Sequence, residues 1–239
     1  ASMGVLELQL GNYEKAVGFF EESKQLAEES GDKRGIISNL HNIGYVHMRQ
    51  GNYTEAIEDY GKTIEILEEL NDRQEIAGCI LNLGIIYQNQ GNYARAIENY
   101  QEAQGLYEEF GEKEGASMCM NNIGLIHQHQ GNYPLALEYI KKSLAIKEET
   151  GNKRGISSCM MNMGGIYMHL ENYLEALRYF QNSMEILEQL QDKSGISNCL
   201  MDMGSAYRKM GEPQQALELF SKSLAIEEEL GDRAGISSI

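Results

Sequence analysis

Three sets of side chains in this 239-residue chain have types and spacings that bear on chemistry: four cysteines, five histidines and a column of amides. Cys79, Cys119, Cys159 and Cys199 recur every 40 residues. Thiols can pair as disulfides or hold a metal, yet a period this regular marks one structural position used four times. If the units carrying them stack about 9–10 Å apart, as packed helices do, neighbouring thiols exceed the roughly 7 Å Cα separation that a disulfide tolerates. One thiolate per stacked unit also cannot gather three or four ligands around an ion at about 2.3 Å. Buried, uncrosslinked thiols are the expectation. The histidines offer no acid–base pair: in the HQH stretch at His127 the two rings stand two residues apart, which on a helix puts them on different faces. No Gly-rich loop joins a strand to a helix, because no strand pattern is evident. The sequence therefore predicts no catalytic residues, no metal and no cofactor, and a chain that is not an enzyme.

The elements that position these residues follow from a repeat, and repeats are sought first because missing them misassigns the fold. GNY begins at Gly11, Gly51, Gly91 and Gly131, becomes ENY at Glu171 and GEP at Gly211. Residues 11–50, 51–90, 91–130, 131–170 and 171–210 are full periods, with partial ones at 1–10 and 211–239. Each period holds two helical patterns. Ile36, Leu40, Ile43 and His47 fall on one face of a first helix, A, and Tyr53, Ala56, Ile57, Tyr60, Ile64 and Leu67 on one face of a second, B. GNY is the turn between A and B: Gly leaves one helix, and Asn can accept from the free N–H groups opening the next. The GDK-like turn at residues 31, 71, 111, 151, 191 and 231 does the same between B and A. Pro134 and Pro213 fall near the start of B helices, where a missing N–H costs little.

Glycines 44, 84, 124, 164 and 204 sit inside A helices, where each costs about 0.5–1 kcal/mol relative to Ala. Their recurrence predicts close approach of A and B at the alanines 16, 56, 96, 136, 176 and 216. The bulky residues at 20, 60, 100, 140, 180 and 220 would then pack against the next repeat. A hairpin of this size cannot bury its apolar face alone, so stacking makes the core. The two partial periods are complementary, which predicts a piece of a longer array with unfinished A helices at both ends and a capacity for head-to-tail self-association.

Composition narrows the partners. A formal charge of −16 opposes nucleic acid, whose binding depends on Lys and Arg releasing counterions. No run approaches the 18 or more apolar residues of a membrane span, and ASMGVLELQL is not a signal peptide, so a soluble, cytoplasmic protein without membrane insertion is expected.

The stretch NLGIIYQNQGNYARAIENY from Asn82 resembles the tetratricopeptide repeat (TPR), and the likeness covers essentially the whole chain. An aliphatic or Met residue replaces the usual Trp of helix A, and the proline that ends helix B is missing. The longer period is similar to that of LGN/Pins-like polarity adaptors and of prokaryotic signalling arrays. The resemblance implies an all-α fold, a right-handed α-α superhelix (solenoid) of about six stacked helix-turn-helix repeats, with the A helices lining a concave groove. On that face it places a column of Asn42, Asn82, Asn122, Asn162 and Asp202. A primary amide donates and accepts, so the column could hold a peptide backbone; the alternative is that it braces adjacent A helices. His41, Tyr45, Arg49, Leu81, Ile85, Asn89, Asn121 and Leu125 would supply specificity beside it. Further along, His129, Met161, Met168, His169, Met201, Arg208 and Lys209 would do the same. Met163 and Met203 match the core position of Ile43, and His47 and His127 replace a core-facing Tyr. The Lys-Asn-Arg clamp of chaperone-binding TPR domains is absent, since its positions carry His41 or Leu81, Met118 and Asn122.

Pairs such as Glu28–Lys33, Glu68–Arg73, Glu108–Lys113, Glu148–Lys153, Glu188–Lys193 and Glu228–Arg233 stand five apart around the B-to-A turn and are read as surface solvation. The functional expectation is a scaffold or adaptor that binds an extended peptide or partner helix. The alternatives are a sensor or regulatory array within a larger signalling protein, or a structural solenoid.

Overall fold

The computed structural model describes residues 2–231, and these form twelve α-helices and no strand. The helices are α1 (Ser2–Gln9), α2 (Tyr13–Ser30), α3 (Lys33–Gln50), α4 (Tyr53–Glu69), α5 (Arg73–Asn89) and α6 (Tyr93–Glu109), then α7 (Lys113–His129), α8 (Tyr133–Thr150), α9 (Lys153–His169), α10 (Tyr173–Gln189), α11 (Lys193–Met210) and α12 (Pro213–Leu230). Odd-numbered helices are the A helices of the repeat and even-numbered ones the B helices. This is the all-α array of about six helix-turn-helix repeats that the sequence predicts. No helix of the described residues is long and apolar enough to cross a membrane. Expectations for residues 232–239, including the last A helix and the Glu228–Arg233 pair, lie outside the described residues.

Two compact units result, Ala1–Cys119 and Met120–Ile239, with the division inside α7. In the first, successive helices pack on one another from α1 through to α6, and in the second from α8 through to α12. Successive A helices also touch directly, α3 with α5 and α9 with α11.

Turn chemistry explains these boundaries. Gly11, Gly31, Gly51, Gly91, Gly131, Gly151 and Gly211 all take φ between 69° and 80°, a region where L-residues with a Cβ are strained. Asn71, Glu171 and Gln191 replace glycine at three turns and still adopt φ of 54–58°. After the B-to-A turn, Asp32, Asp72, Asn152 and Asp192 accept from the N–H three residues on, at 2.9–3.3 Å. The GNY asparagine does this only at Asn92 and Asn172, while Asn12, Asn52 and Asn132 make no such bond. Its capping role is therefore partial. Pro134 and Pro213 open α8 and α12 as expected.

Packing corrects one expectation. The bulky residue of each B helix lies on the glycine of its own hairpin rather than only against the next repeat. An added Cβ on Gly4, Gly84, Gly164 or Gly204 would come within 2.4–2.7 Å of the ring of Phe20, Tyr100, Phe180 or Phe220, respectively. Ile140 takes the same place over Gly124. The rings then reach onward into the core, as Phe20 does beside Ile43 and Val46 of α3. The expected approach at the alanines also exists: the Ala136 carbonyl oxygen lies 3.2 Å from such a Cβ on Gly124.

These contacts make a paired prediction. Tyr100 is fully buried and its hydroxyl donates to Gln88 at 2.8 Å, so its ring is held at both ends. Gly84→Ala is expected to destabilise by about 1–3 kcal/mol through overpacking. Gly105→Ala, in α6 with no atom within 4 Å of an added Cβ, is expected to stabilise by about 0.5–1 kcal/mol. Urea unfolding of both variants decides, and a stabilised Gly84→Ala would rule out the seated ring.

Candidate functional site

In each unit, the A-helix face carries its part of the predicted column. Asn42, Asn82, Asn122, Asn162 and Asp202 are all half-buried, but their side chains have different employment. Asn42 Nδ2 donates to Ser38 O of its own helix at 2.8 Å. Asn162 Nδ2 donates to Asn121 Oδ1 at 3.0 Å, bridging successive A helices α9 and α7 in the second unit. Bracing, one of the two readings of the column, thus holds at Asn162. Asn82 and Asn122 make no side-chain hydrogen bond among the described residues.

Two clefts open on this face. In the first unit, a cleft of about 700 Å³ brings together His41 and Asn42 of α3, Glu75, Gly78 and Cys79 of α5, and Tyr107 of α6, with Arg34, Asp72 and Glu112 also on its walls. In the second, Leu125, His129, Asn162 and His169 meet Tyr133 around about 500 Å³, and the Tyr133 ring stacks on His169 at 5.5 Å. Sequence reasoning found His41, Asn42, Leu125, His129, Asn162 and His169. It missed Arg34, Asp72, Glu75 and Glu112, which sit at the B-to-A turns.

The remaining predicted residues separate by exposure. Arg49, Asn89, Arg208 and Lys209 are exposed, whereas Leu81 is buried and is corrected to core. Tyr45 is half-buried and its hydroxyl accepts from Arg49 Nη1 at 3.1 Å. Met163 and Met203 are buried as expected. Met161 and Met168 are half-buried and pack against the Ala176–Phe180–Met203 cluster, so both contribute to the core. Met161 Sδ also lies 3.1 Å from Cys199 Sγ. Met201 and Ile85 are half-buried. His47 contacts Asp59 at 2.7 Å and His127 stacks on Tyr139 at 5.7 Å, both turned into their hairpins.

All four cysteines are buried free thiols. Burial pushes Cys79 and Cys119 up to about 12 and Cys199 up to about 11, so they are un-ionised near neutral pH and poor nucleophiles.

The charged pairs also differ from the local pairing expected. Lys33 reaches Glu69 at 2.8 Å and Arg73 reaches Glu109 at 2.7 Å, while Lys193 pairs with Glu229. Each cation thus contacts a carboxylate 36 residues on, at the end of the next B helix, instead of the one five residues back. These exposed contacts link repeats but contribute little energy.

The class defined is an all-α helical repeat protein with clefted A-helix faces. The tetratricopeptide repeat model matches residues 1–69, 75–149 and 157–229, and the chain belongs to that family. No curated protein matches it. Its fold is shared with BtubC from P. vanneervenii, with a TM-score of 0.80, 18% identity and 92% of each chain covered. It is shared also with a signal transduction ATPase with numerous domains (STAND) protein bearing a tetratricopeptide repeat sensor, from Pyrococcus horikoshii, at TM-score 0.77, 21% identity, 95% of this chain and 36% of that one. A Rap protein complexed with competence and sporulation factor gives TM-score 0.78 and 18% identity over 94% of this chain and 62% of that one. Identities this low speak for the fold alone. Membership of the family suggests a protein-interaction role.

Asp202 yields a prediction about the column. Burial raises its carboxyl from the ordinary value of 3.8 to about 6. A folded-state value above the unfolded one penalises the charged form: the cost is absent below about pH 4, grows as pH rises, and is complete above about pH 6. Asp202→Asn is therefore expected to stabilise the protein at pH 7 by roughly 1–3 kcal/mol. Melting curves of both proteins across pH 4–7 test this, and a gap that does not close at the acid end would contradict the stated cause.

Proposed function

We propose that this chain is a protein-interaction module that holds an extended peptide or partner helix along its A-helix faces, and that its role is binding rather than catalysis. The observation that carries this reading is the state of Asn82 and Asn122. Each is half-buried on an A helix of its own unit, and neither amide is engaged by the chain itself. Mid-helix asparagine is mediocre for helix stability because it competes for backbone hydrogen bonds, so an unengaged pair at one repeat position is best explained by an external backbone. Asn42 and Asp202 complete the column, and Asn162 lies on the second cleft.

Around these amides, His41, Tyr45, Arg49 and Asn89 in the first unit are proposed to contact side chains of the ligand. His129, His169, Met161, Met168 and Met201 serve the second unit, with Arg208 and Lys209 toward its end. The thioethers give adaptable apolar contact. Support also comes from the Rap neighbour, a protein of this fold that is complexed with a factor. A second reading, a sensor that reports ligand occupancy to other domains of a larger protein, is favoured by the STAND neighbour, of which the matching array is only 36%.

The experiment is selection of a random twelve-residue peptide display library on the whole chain, followed by binding of the enriched peptide to an Asn82→Ala/Asn122→Ala variant. Two lost hydrogen bonds at about 0.5–1.5 kcal/mol each predict affinity weakened roughly 5- to 150-fold, with the melting temperature preserved. Unchanged affinity in the folded double variant would sink the proposed backbone grip. Asn162 is left intact because its alanine variant would also remove the brace to Asn121.

A further inference from the structure

The cleft of the first unit shows which side chain such a ligand should bring. A fixed register links the start of one A helix to the turn before the next, 38 residues on. Arg34 Nη2 contacts Asp72 Oδ2 at 2.5 Å, and Arg34 Nη1 contacts Glu75 Oε2 at 3.0 Å. In the second unit Arg154 Nε stands 3.9 Å from Asp192 Oδ2 in the same register. At the intervening step in the first unit the cation is missing. Gln74 occupies the arginine position, and its neutral amide donates to Glu112 Oε1 at 2.7 Å. Glu112 is a carboxylate whose counterparts Asp72 and Asp192 face a guanidinium, whereas it accepts from an amide.

That carboxylate lines the 700 Å³ cleft, together with Asp72 and Glu75. Against these three acids the cleft carries one arginine, Arg34, already engaged by two of them. His41 adds no compensating charge near neutral pH, since burial lowers its value. The half-buried Tyr107 ring gives the cleft an apolar wall, and Gly78 leaves space in which only the Tyr107 hydroxyl approaches, at 3.7 Å from where a Cβ would stand. Burial pushes Tyr107 up to about 12, so its hydroxyl stays neutral and can accept from a cationic donor.

We propose that this cleft is the specificity pocket for a lysine or arginine side chain of the peptide, with the alkyl stem on the Tyr107 ring and the charged head on Glu112. This rests on the peptide-binding reading above. Charge complementarity commits the occupant: long basic side chains carry an apolar stem and a charged tip, the two features the cleft offers in that order. Arg34 shows in the neighbouring register how a guanidinium meets these carboxylates.

The test starts from the peptide enriched by display on the whole chain and measures its affinity by fluorescence polarisation. Enriched sequences should share a Lys or Arg at one position, and replacing it with Gln should weaken binding about three- to fivefold, the upper range for a solvent-exposed charge pair. Gln74→Arg restores the register's own cation at Glu112 and should weaken the basic peptide by a similar factor. On that variant the Lys-to-Gln change in the peptide should cost less than twofold. Gln90→Arg, the same charge change at the other end of α5, should leave affinity within twofold. Glu112→Gln should reproduce Gln74→Arg. Peptides that depend on Asn82 and Asn122 but share no basic residue, or whose basic residue matters equally on Gln74→Arg, would overturn the pocket and leave the groove reading standing. Failure to enrich any peptide on the folded chain would overturn both.

Discussion

The contact on which the rest depends is a B-helix side chain seated on an A-helix glycine. It fixes how closely the two helices of a hairpin approach. Phe20, Tyr100, Phe180 and Phe220 each occupy volume that any Cβ at the facing position would claim. A second glycine near the start of several A helices does the same toward the preceding B helix, as Gly115 does under the Tyr107 ring and Gly195 under Leu187. An A helix is thus clasped on two sides by its chain neighbours. The loss of helix propensity at the glycines is offset by the apolar surface that close approach buries. With A helices held this way, α3 meets α5 and α9 meets α11, and side chains 40 residues apart become neighbours on one face.

Much of this was legible because it is periodic. The 40-residue return of GNY, the glycine and alanine columns and the apolar faces of both helices all gave the architecture without reference to any contact. Positive φ at the turn glycines follows from residue type alone. The turns at Asn71, Glu171 and Gln191 were legible only by register, since those residues adopt the same conformation at a cost that the flanking helices impose. The seat of the bulky side chains was misread because a helix-face pattern says which side is apolar and not which of two neighbouring helices receives it.

The site was less legible, for a different physical reason. A helical period places a backbone position; it does not fix where a side chain of three to five bonds finds its partner. Lys33 stands near Glu28 in the chain, yet it reaches the end of the next B helix at Glu69. Asn42 and Asn162 occupy one column position, yet one bonds its own helix and the other a neighbouring helix. The acids of the first cleft did not stand out in the sequence, since each looks like one more member of a solvated turn. Their meeting around a cavity depends on repeats being brought within side-chain reach, which no single repeat reveals.

In a fold that repeats its backbone, the informative residues are those that break the repeat. Positions that keep it, such as the Cys79, Cys119, Cys159 and Cys199 column, are buried and serve packing. Departures change local chemistry without changing the scaffold. Asp202 replaces the column's amide with a group whose charged form burial disfavours. Gln74 stands where Arg34 and Arg154 provide cations, and Gly78 stands where the preceding repeat has Ser38. The last two fall on the same cleft: one removes a positive charge and the other removes a side chain. Together they leave room and uncompensated negative charge at one place on an otherwise regular face, because nearest-neighbour packing tolerates changes on the exposed side of an A helix that its clasped sides do not.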